Sequence, residues 1–117
     1  MFAGTWVNDR GSAMILEQEG NRISGRYLTR IGHEAVAGNE HPLTGFANDT
    51  TVGFVVGWPA ADSVTSWAGR LAIDAEGNAT VHTVWHLVRA SSGDPPRSLQ
   101  PWESFLTNSS IFRRARE

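Results

Sequence analysis

The chain has 117 residues, a net charge of −2 and no cysteine. That reads as one domain, residues 1–117, able to bury a core without a metal or disulfide and excluding thiolate chemistry and cysteine-held zinc. The ten basic residues are all arginine and are scattered apart from the terminal "RRARE", so no cationic stripe is offered to nucleic acid or to an anionic membrane surface.

Taken in chain order, the opening "MFAGTW" lacks a basic segment followed by an apolar run, and no later stretch approaches the roughly 20 apolar residues of a membrane span. Twelve glycines, five prolines and several Asn/Asp breaks cut the chain into short alternating segments and leave no helical periodicity of useful length. Strands are predicted at "GTWVN", "SAMILEQE", "RISGRYLTR", "HPLTGFA", "TTVGFVVGW", "VTSWAGRLAID", "ATVHTVWHLV" and "ESFLTNSSIFRRA". Tight turns such as "NDRG", "EGN" and "AEGN" join most of them. Eight consecutive short strands imply an all-β fold, an antiparallel up-and-down β-barrel, because closure removes the exposed edges of an open sheet. A barrel of about eight strands holds packed side chains or one small ligand. Two connections, Ile31 to Pro42 and Arg89 to Pro101, are longer than hairpins need and are read as lids or binding loops.

The two-residue period of a strand places Ser63, Thr65 and Trp67 on one face. The same parity groups Phe54, Val56 and Trp58, then Thr83, Trp85 and Leu87, then Gly25, Tyr27 and Thr29. Each strand thus sends an aromatic or a hydroxyl to one end of the barrel. A barrel needing only a core would use Leu, Ile and Val there, since a buried hydroxyl without a partner costs about 1–3 kcal/mol. A ligand with several polar atoms would supply the partners, and the indoles its apolar walls. Packing of ordinary strand residues is the plainer account of any one of these positions; their combination favours a ligand.

These residues carry a resemblance. From "GTWVNDRGS" through "SGRYLTRIG", "PLTGF", "GFVVGW", "SVTSWAG" and "TVWHL" to "SSIFRRAR", the chain resembles the avidin and streptavidin family of biotin-binding barrels in order and spacing. A lone "GTW" would not carry this, because lipocalins and fatty-acid-binding proteins also begin with Gly-x-Trp and close with an arginine packed on it. Trp6 with Arg114 or Arg116 is expected to do that structural work. The resemblance implies that Asn8, Ser12 and Tyr27 converge on the ureido carbonyl oxygen of biotin, three neutral donors favouring its polarised form. It implies further that Thr29 accepts from one ureido N–H, Thr65 approaches the ring sulfur and Ser63 meets the valeryl carboxylate. Trp58, Trp67 and Trp85 with Leu87 match the box around the rings, and Trp102 matches a fourth tryptophan that family members receive from a neighbouring subunit.

The sequence departs from the family pattern in three places. Counting back from Phe112, the position for an acidic or amide group against the second ureido N–H is Ser110, which lacks the charge that makes such bonds about twice as strong. Asn108 shares its strand face, but Ser110 is the expected ligand residue. His33 stands in the loop over the carboxylate where an asparagine is often found. The connection from Leu87 to Trp102 is longer than in familiar members. Family resemblance also implies a homo-oligomer, a tetramer rather than a dimer, and a secreted or periplasmic setting, with biotin as ligand and no cofactor.

An enzymatic reading would need the histidines or carboxylates. His82 and His86 would suit a metal on a helix, but on a strand they stand about 13 Å apart and face away from Trp85. No serine lies in a nucleophile motif and no glycine cluster precedes a helix, so neither catalytic nor metal-binding residues are expected. The alternative binding function is a lipocalin-like carrier of a more apolar ligand. A pure interaction module would instead require a sizeable exposed apolar patch.

Overall fold

Strict alternation decides the architecture: in "TVGFVVGW" the side chains of Val52, Phe54 and Val56 are buried, whereas Thr51, Val55 and Gly57 face outward. The computed structural model describes residues 1–29 and 40–115. Among these residues ten strands are formed: β1 Gly4–Asn8, β2 Ala13–Glu19, β3 Arg22–Leu28, β4 Glu40–Ala47, β5 Thr51–Trp58, β6 Ser63–Ile73, β7 Ala79–Arg89, β8 Ser91–Ser92, β9 Arg97–Ser98 and β10 Phe105–Arg114. Eight of them close a barrel in the order β1-β10-β7-β6-β5-β4-β3-β2, every neighbour antiparallel. This is the predicted all-β eight-stranded antiparallel barrel, with strand limits within a few residues of those read from the sequence.

Two connections differ from expectation. The segment between β7 and β10 is not a plain loop: β8 and β9 pair as a small separate sheet. A 3₁₀ turn, Pro101–Glu103, follows and delays the eighth barrel strand to Phe105. Proline at the first position fixes the turn's entry. Glu103 closes it by accepting the Gln100 N–H at 3.1 Å and an Arg97 N–H at 3.2 Å. Those two donors hold the Glu103 carboxyl below its ordinary range. In the other connection, Glu40 to Pro42 belong to β4, paired with Leu28 to Arg26; the expected lid over residues 31–39 lies outside the described residues.

One end of the barrel is filled. Phe2, Trp6, Met14, Val81 and Phe112 are fully buried there, with Leu16 and Ile23 beside them. Trp6 donates its indole N–H to the Phe2 carbonyl at 2.8 Å. Arg114 covers the indole with its guanidinium carbon 4.3 Å from the ring centroid, and donates to the carbonyls of Ala3 and Met1, each at 2.7 Å. Of the two arginines expected on Trp6, Arg114 is the one seated; Arg116 lies outside the described residues. The other end carries the turns after β1, β5 and β7, and there the inward positions become hydroxyls, amides and indoles.

Gly45 links the packing of the wall to that open end. A side chain there would strike the Gly53 carbonyl and approach Cβ of Phe54, its cross-strand partner, at 2.8 Å. Phe54 in turn stacks on Trp67, centroids 4.9 Å apart and 18° from parallel. Gly45→Ala is therefore expected to lower unfolding free energy by about 1–3 kcal/mol, measured by urea titration. Gly57→Ala, where an added Cβ meets no atom within 4 Å, should stay within about 0.5 kcal/mol.

Candidate functional site

The site begins with one side chain at the end of β1. Asn8 Oδ1 accepts the backbone N–H of Arg10 at 3.0 Å and of Ser12 at 2.8 Å. Only an oxygen can serve two N–H donors, so the amide orientation is fixed by its own turn. The Asn8 Nδ2 is thereby aimed inward, 3.3 Å from the Tyr27 hydroxyl. Ser12, also buried, hydrogen-bonds the same phenol. Three polar groups from β1, the following turn and β3 thus meet at one point on the inner wall.

Around them lies a cavity of about 260 Å³, room for one small molecule. Asn8, Ser12, Tyr27 and Thr29 line one side; Trp58, Thr65, Trp67, Trp85 and Leu87 line the others, with Ser110 from β10. The walls are held by polar and aromatic contacts. Trp58 donates its indole N–H to Thr65 Oγ1 at 2.8 Å and meets the His41 ring edge-on at 4.7 Å. Trp67 is held between Phe54 and Tyr27, the latter with its ring centroid 5.0 Å away. Trp85 donates to Ser110 Oγ at 3.2 Å. Hydroxyls that accept from an indole retain their own proton and a second lone pair, so Thr65 and Ser110 still offer polar contacts to a ligand.

Ser110 is buried and Asn108 is exposed; the strand face is shared, but only Ser110 lines the cavity. Ser63 is half-buried and lines an adjoining cleft formed with Arg89, Leu99 and Phe105 rather than the cavity itself. Trp102 is 78 % exposed on the 3₁₀ turn and does not line the cavity. His33 lies outside the described residues. His82 and His86 are exposed on the outer face, His86 Nδ1 lying 2.9 Å from Thr107 Oγ1. No cluster able to hold a metal ion occurs among the described residues.

Sequence reasoning missed Arg10, which also lines the cavity. It sits in a turn, where strand parity assigns no face. The available signal was its position between Asn8 and Ser12, two residues already singled out.

A closed eight-stranded barrel, filled at one end and holding converging polar groups and indoles at the other, defines a small-ligand-binding protein. The sequence pattern of the avidin family matches residues 1–115, and the chain belongs to that family of non-catalytic binding proteins. It is 31% identical to avidin of Gallus gallus over 123 aligned residues, covering 98% of this chain and 78% of avidin. Among solved structures, xenavidin superposes with a TM-score of 0.80 at 28% identity, covering 97% of each chain. Rhizavidin in complex with biotin superposes with a TM-score of 0.76 at 26% identity, covering 97% of this chain and 99% of rhizavidin.

Burial pushes the Tyr27 phenol above its ordinary value of 10.0, opposed by the hydrogen bonds to Ser12 and Asn8 and by the charge of Arg10. The folded state therefore holds this proton more tightly than the unfolded state. The resulting stabilisation is complete below pH 10 and is lost as pH rises through the folded value. Tyr27 is the single tyrosine, so phenolate absorbance reads it alone. The folded protein is expected to titrate above the ordinary tyrosine value, shifting to that value once unfolded in urea; a folded midpoint at or below it contradicts the buried placement.

Proposed function

We propose that the cavity binds biotin, tightly and without chemical change, and that the protein sequesters this vitamin. The observation that carries the reading is the convergence of Asn8 Nδ2, the Ser12 hydroxyl and the Tyr27 phenol. Three neutral donors at one point suit a single strong acceptor, and a ureido carbonyl oxygen is one. Preorganised donors of this kind favour the polarised form of a carbonyl for the same reason that they stabilise oxyanions in enzymes. Here the polarised urea is the bound ligand rather than a transition state.

Thr29 then accepts one ureido N–H and Ser110 the other. Thr65 faces the ring sulfur, and Trp58, Trp67, Trp85 and Leu87 enclose the bicyclic ring and its chain. The valeryl carboxylate extends toward Ser63. Affinity is set partly by Ser110, whose hydroxyl is shared with the Trp85 N–H and brings no charge to the second ureido N–H. Avidin family membership and the similarity to rhizavidin, solved with biotin, support the ligand's identity.

The reading includes assembly into a homo-oligomer, a tetramer rather than a dimer. Val55, Val64, Val84, Val88 and Phe105 are exposed on the outer face of β5, β6, β7 and β10. Cross-strand pairing sets Val64, Val88 and Phe105 in one row. Trp102 stands out beside this surface and would close a neighbouring cavity.

Thermal unfolding with excess biotin tests the ligand. At about a thousand times its dissociation constant a ligand adds about 4 kcal/mol, which raises the midpoint of a domain this size by roughly 10 °C or more. A rise with a fatty acid and none with biotin, in protein refolded free of ligand, would contradict the reading. Tyr27→Phe is expected to accelerate biotin dissociation about tenfold to a hundredfold through the loss of one donor, measured by stopped flow. Trp102→Ala should lower the assembly state in sedimentation velocity and weaken biotin binding; unchanged values in both would remove its proposed inter-subunit role.

A further inference from the structure

The alternation that sends Trp85 and Leu87 into the cavity puts a charge at the next position of that parity, Arg89, the last residue of β7. Arg89 pairs in register with Ser63, the first residue of β6. One step nearer the rim than Leu87, the two residues line the adjoining cleft, a space of about 480 Å³. The backbone there is tied on both sides: the Arg89 N–H donates to the Ser104 carbonyl at 3.0 Å, and the Ala90 N–H to the Asp62 carbonyl at 3.3 Å. The Ala90 carbonyl accepts the Leu99 N–H at 2.9 Å. That bond fixes the segment after β9 to the end of β7, so the long connection supplies Ser98 and Leu99 to the cleft wall.

The Arg89 side chain is half-buried, and its Nε is shut off from water without a hydrogen-bond partner among the described residues. The ion pairs among those residues, Arg26 with Glu40 and Arg97 with Glu103, leave Arg89 out. Asp62, the other charged residue of the cleft, is exposed at a left-handed backbone position with φ 47° and makes no ion pair with it. A cation partly withdrawn from water and left without an anion is costly. Its planar fork matches the two oxygens of a carboxylate.

We propose that Arg89 reads the far end of the ligand: it pairs with a terminal carboxylate in the cleft beside Ser63, so the protein takes the free acid in preference to ligands whose acid group has been converted to an amide. This rests on the biotin reading and deepens it, because it names the form of the ligand that is held. The Ser63 hydroxyl donates as well to an amide carbonyl as to a carboxylate, and a wall of hydroxyls alone would discriminate little. A guanidinium has no acceptor for the N–H that an amide brings. Converting the acid to an amide removes a charge-assisted bond, which corresponds to roughly tenfold to a hundredfold in affinity.

The test compares biotin with biotinamide, which keeps the rings and the chain and replaces the carboxylate by a neutral carboxamide. Competition binding on the full chain gives the affinity ratio of the two for the wild type, Arg89→Leu and Arg89→Lys. The wild type is expected to prefer biotin by about tenfold or more. Arg89→Leu should bring the ratio close to one by weakening biotin and leaving biotinamide unchanged, and Arg89→Lys, which keeps the charge, should retain a preference for biotin. A wild-type ratio near one overturns the proposal even if Arg89→Leu fails to fold. So does a ratio that Arg89→Leu leaves unchanged, the result of a merely structural role that weakens both ligands together, and so does loss of the preference in Arg89→Lys. Each of those results leaves the biotin reading standing. If the wild type binds neither biotin nor biotinamide, the biotin reading fails and this one with it.

Discussion

The side-chain oxygen of Asn8 accepts two backbone N–H groups from its own turn, and the binding end of the barrel is organised by that pair of bonds. They hold the turn between β1 and β2, they decide which end of the amide faces inward, and they set the positions of Arg10 and Ser12. An amide free to rotate would present its oxygen or its nitrogen to a ligand with little preference. This one presents nitrogen. The same constraint explains why the neighbours of the amide are donors: Ser12 is placed by the N–H that Asn8 accepts, and the Tyr27 phenol lies across the wall on β3 within reach of both.

The rest of the barrel makes such a site tolerable. Polar groups held away from water are costly unless paired, and here they are paired in sequence around the wall: Trp58 to Thr65, Trp85 to Ser110, Thr83 Oγ1 to the Ser110 carbonyl at 2.8 Å. Cohesion comes from the opposite end, where Trp6, Phe2, Met14, Val81 and Phe112 fill the interior and Arg114 ties the first residues to the last barrel strand. Division of labour between the two ends allows the open end to keep hydroxyls at positions that a stability-driven core would give to aliphatics. Aromatic stacking connects them, because Phe54 belongs to the core cluster and also backs Trp67.

Most of this was legible in the sequence because a strand has a period of two and the inward face was chemically unusual. Thr65 and Trp67 follow from parity alone, as do Tyr27, Trp58 and Trp85. What parity leaves unassigned is what lies between strands. Arg10 belongs to a turn, where direction is set by local hydrogen bonds rather than by alternation. Ser63 has the right parity, but as the first residue of β6 it sits where the wall opens, and it lines the adjoining cleft. The segment before Trp102 reads as a loop because two-residue strands such as β8 and β9 are too short to show alternation. Trp102 itself is legible only as an aromatic; its exposure follows from the 3₁₀ turn closed by Glu103.

The central claim is that the inward amide nitrogen of Asn8 is a donor to the ligand and that its oxygen serves the turn. Asn8→Asp separates these two tasks, since a carboxylate keeps both backbone N–H partners but turns the inward donor into an acceptor. Calorimetric titration with biotin, alongside thermal unfolding of the unliganded protein, measures both. The account predicts an unfolding midpoint near that of the wild type and a loss of affinity of about a hundredfold or more, as when one donor is removed from an oxyanion site. Affinity unchanged in a folded Asn8→Asp protein would contradict it.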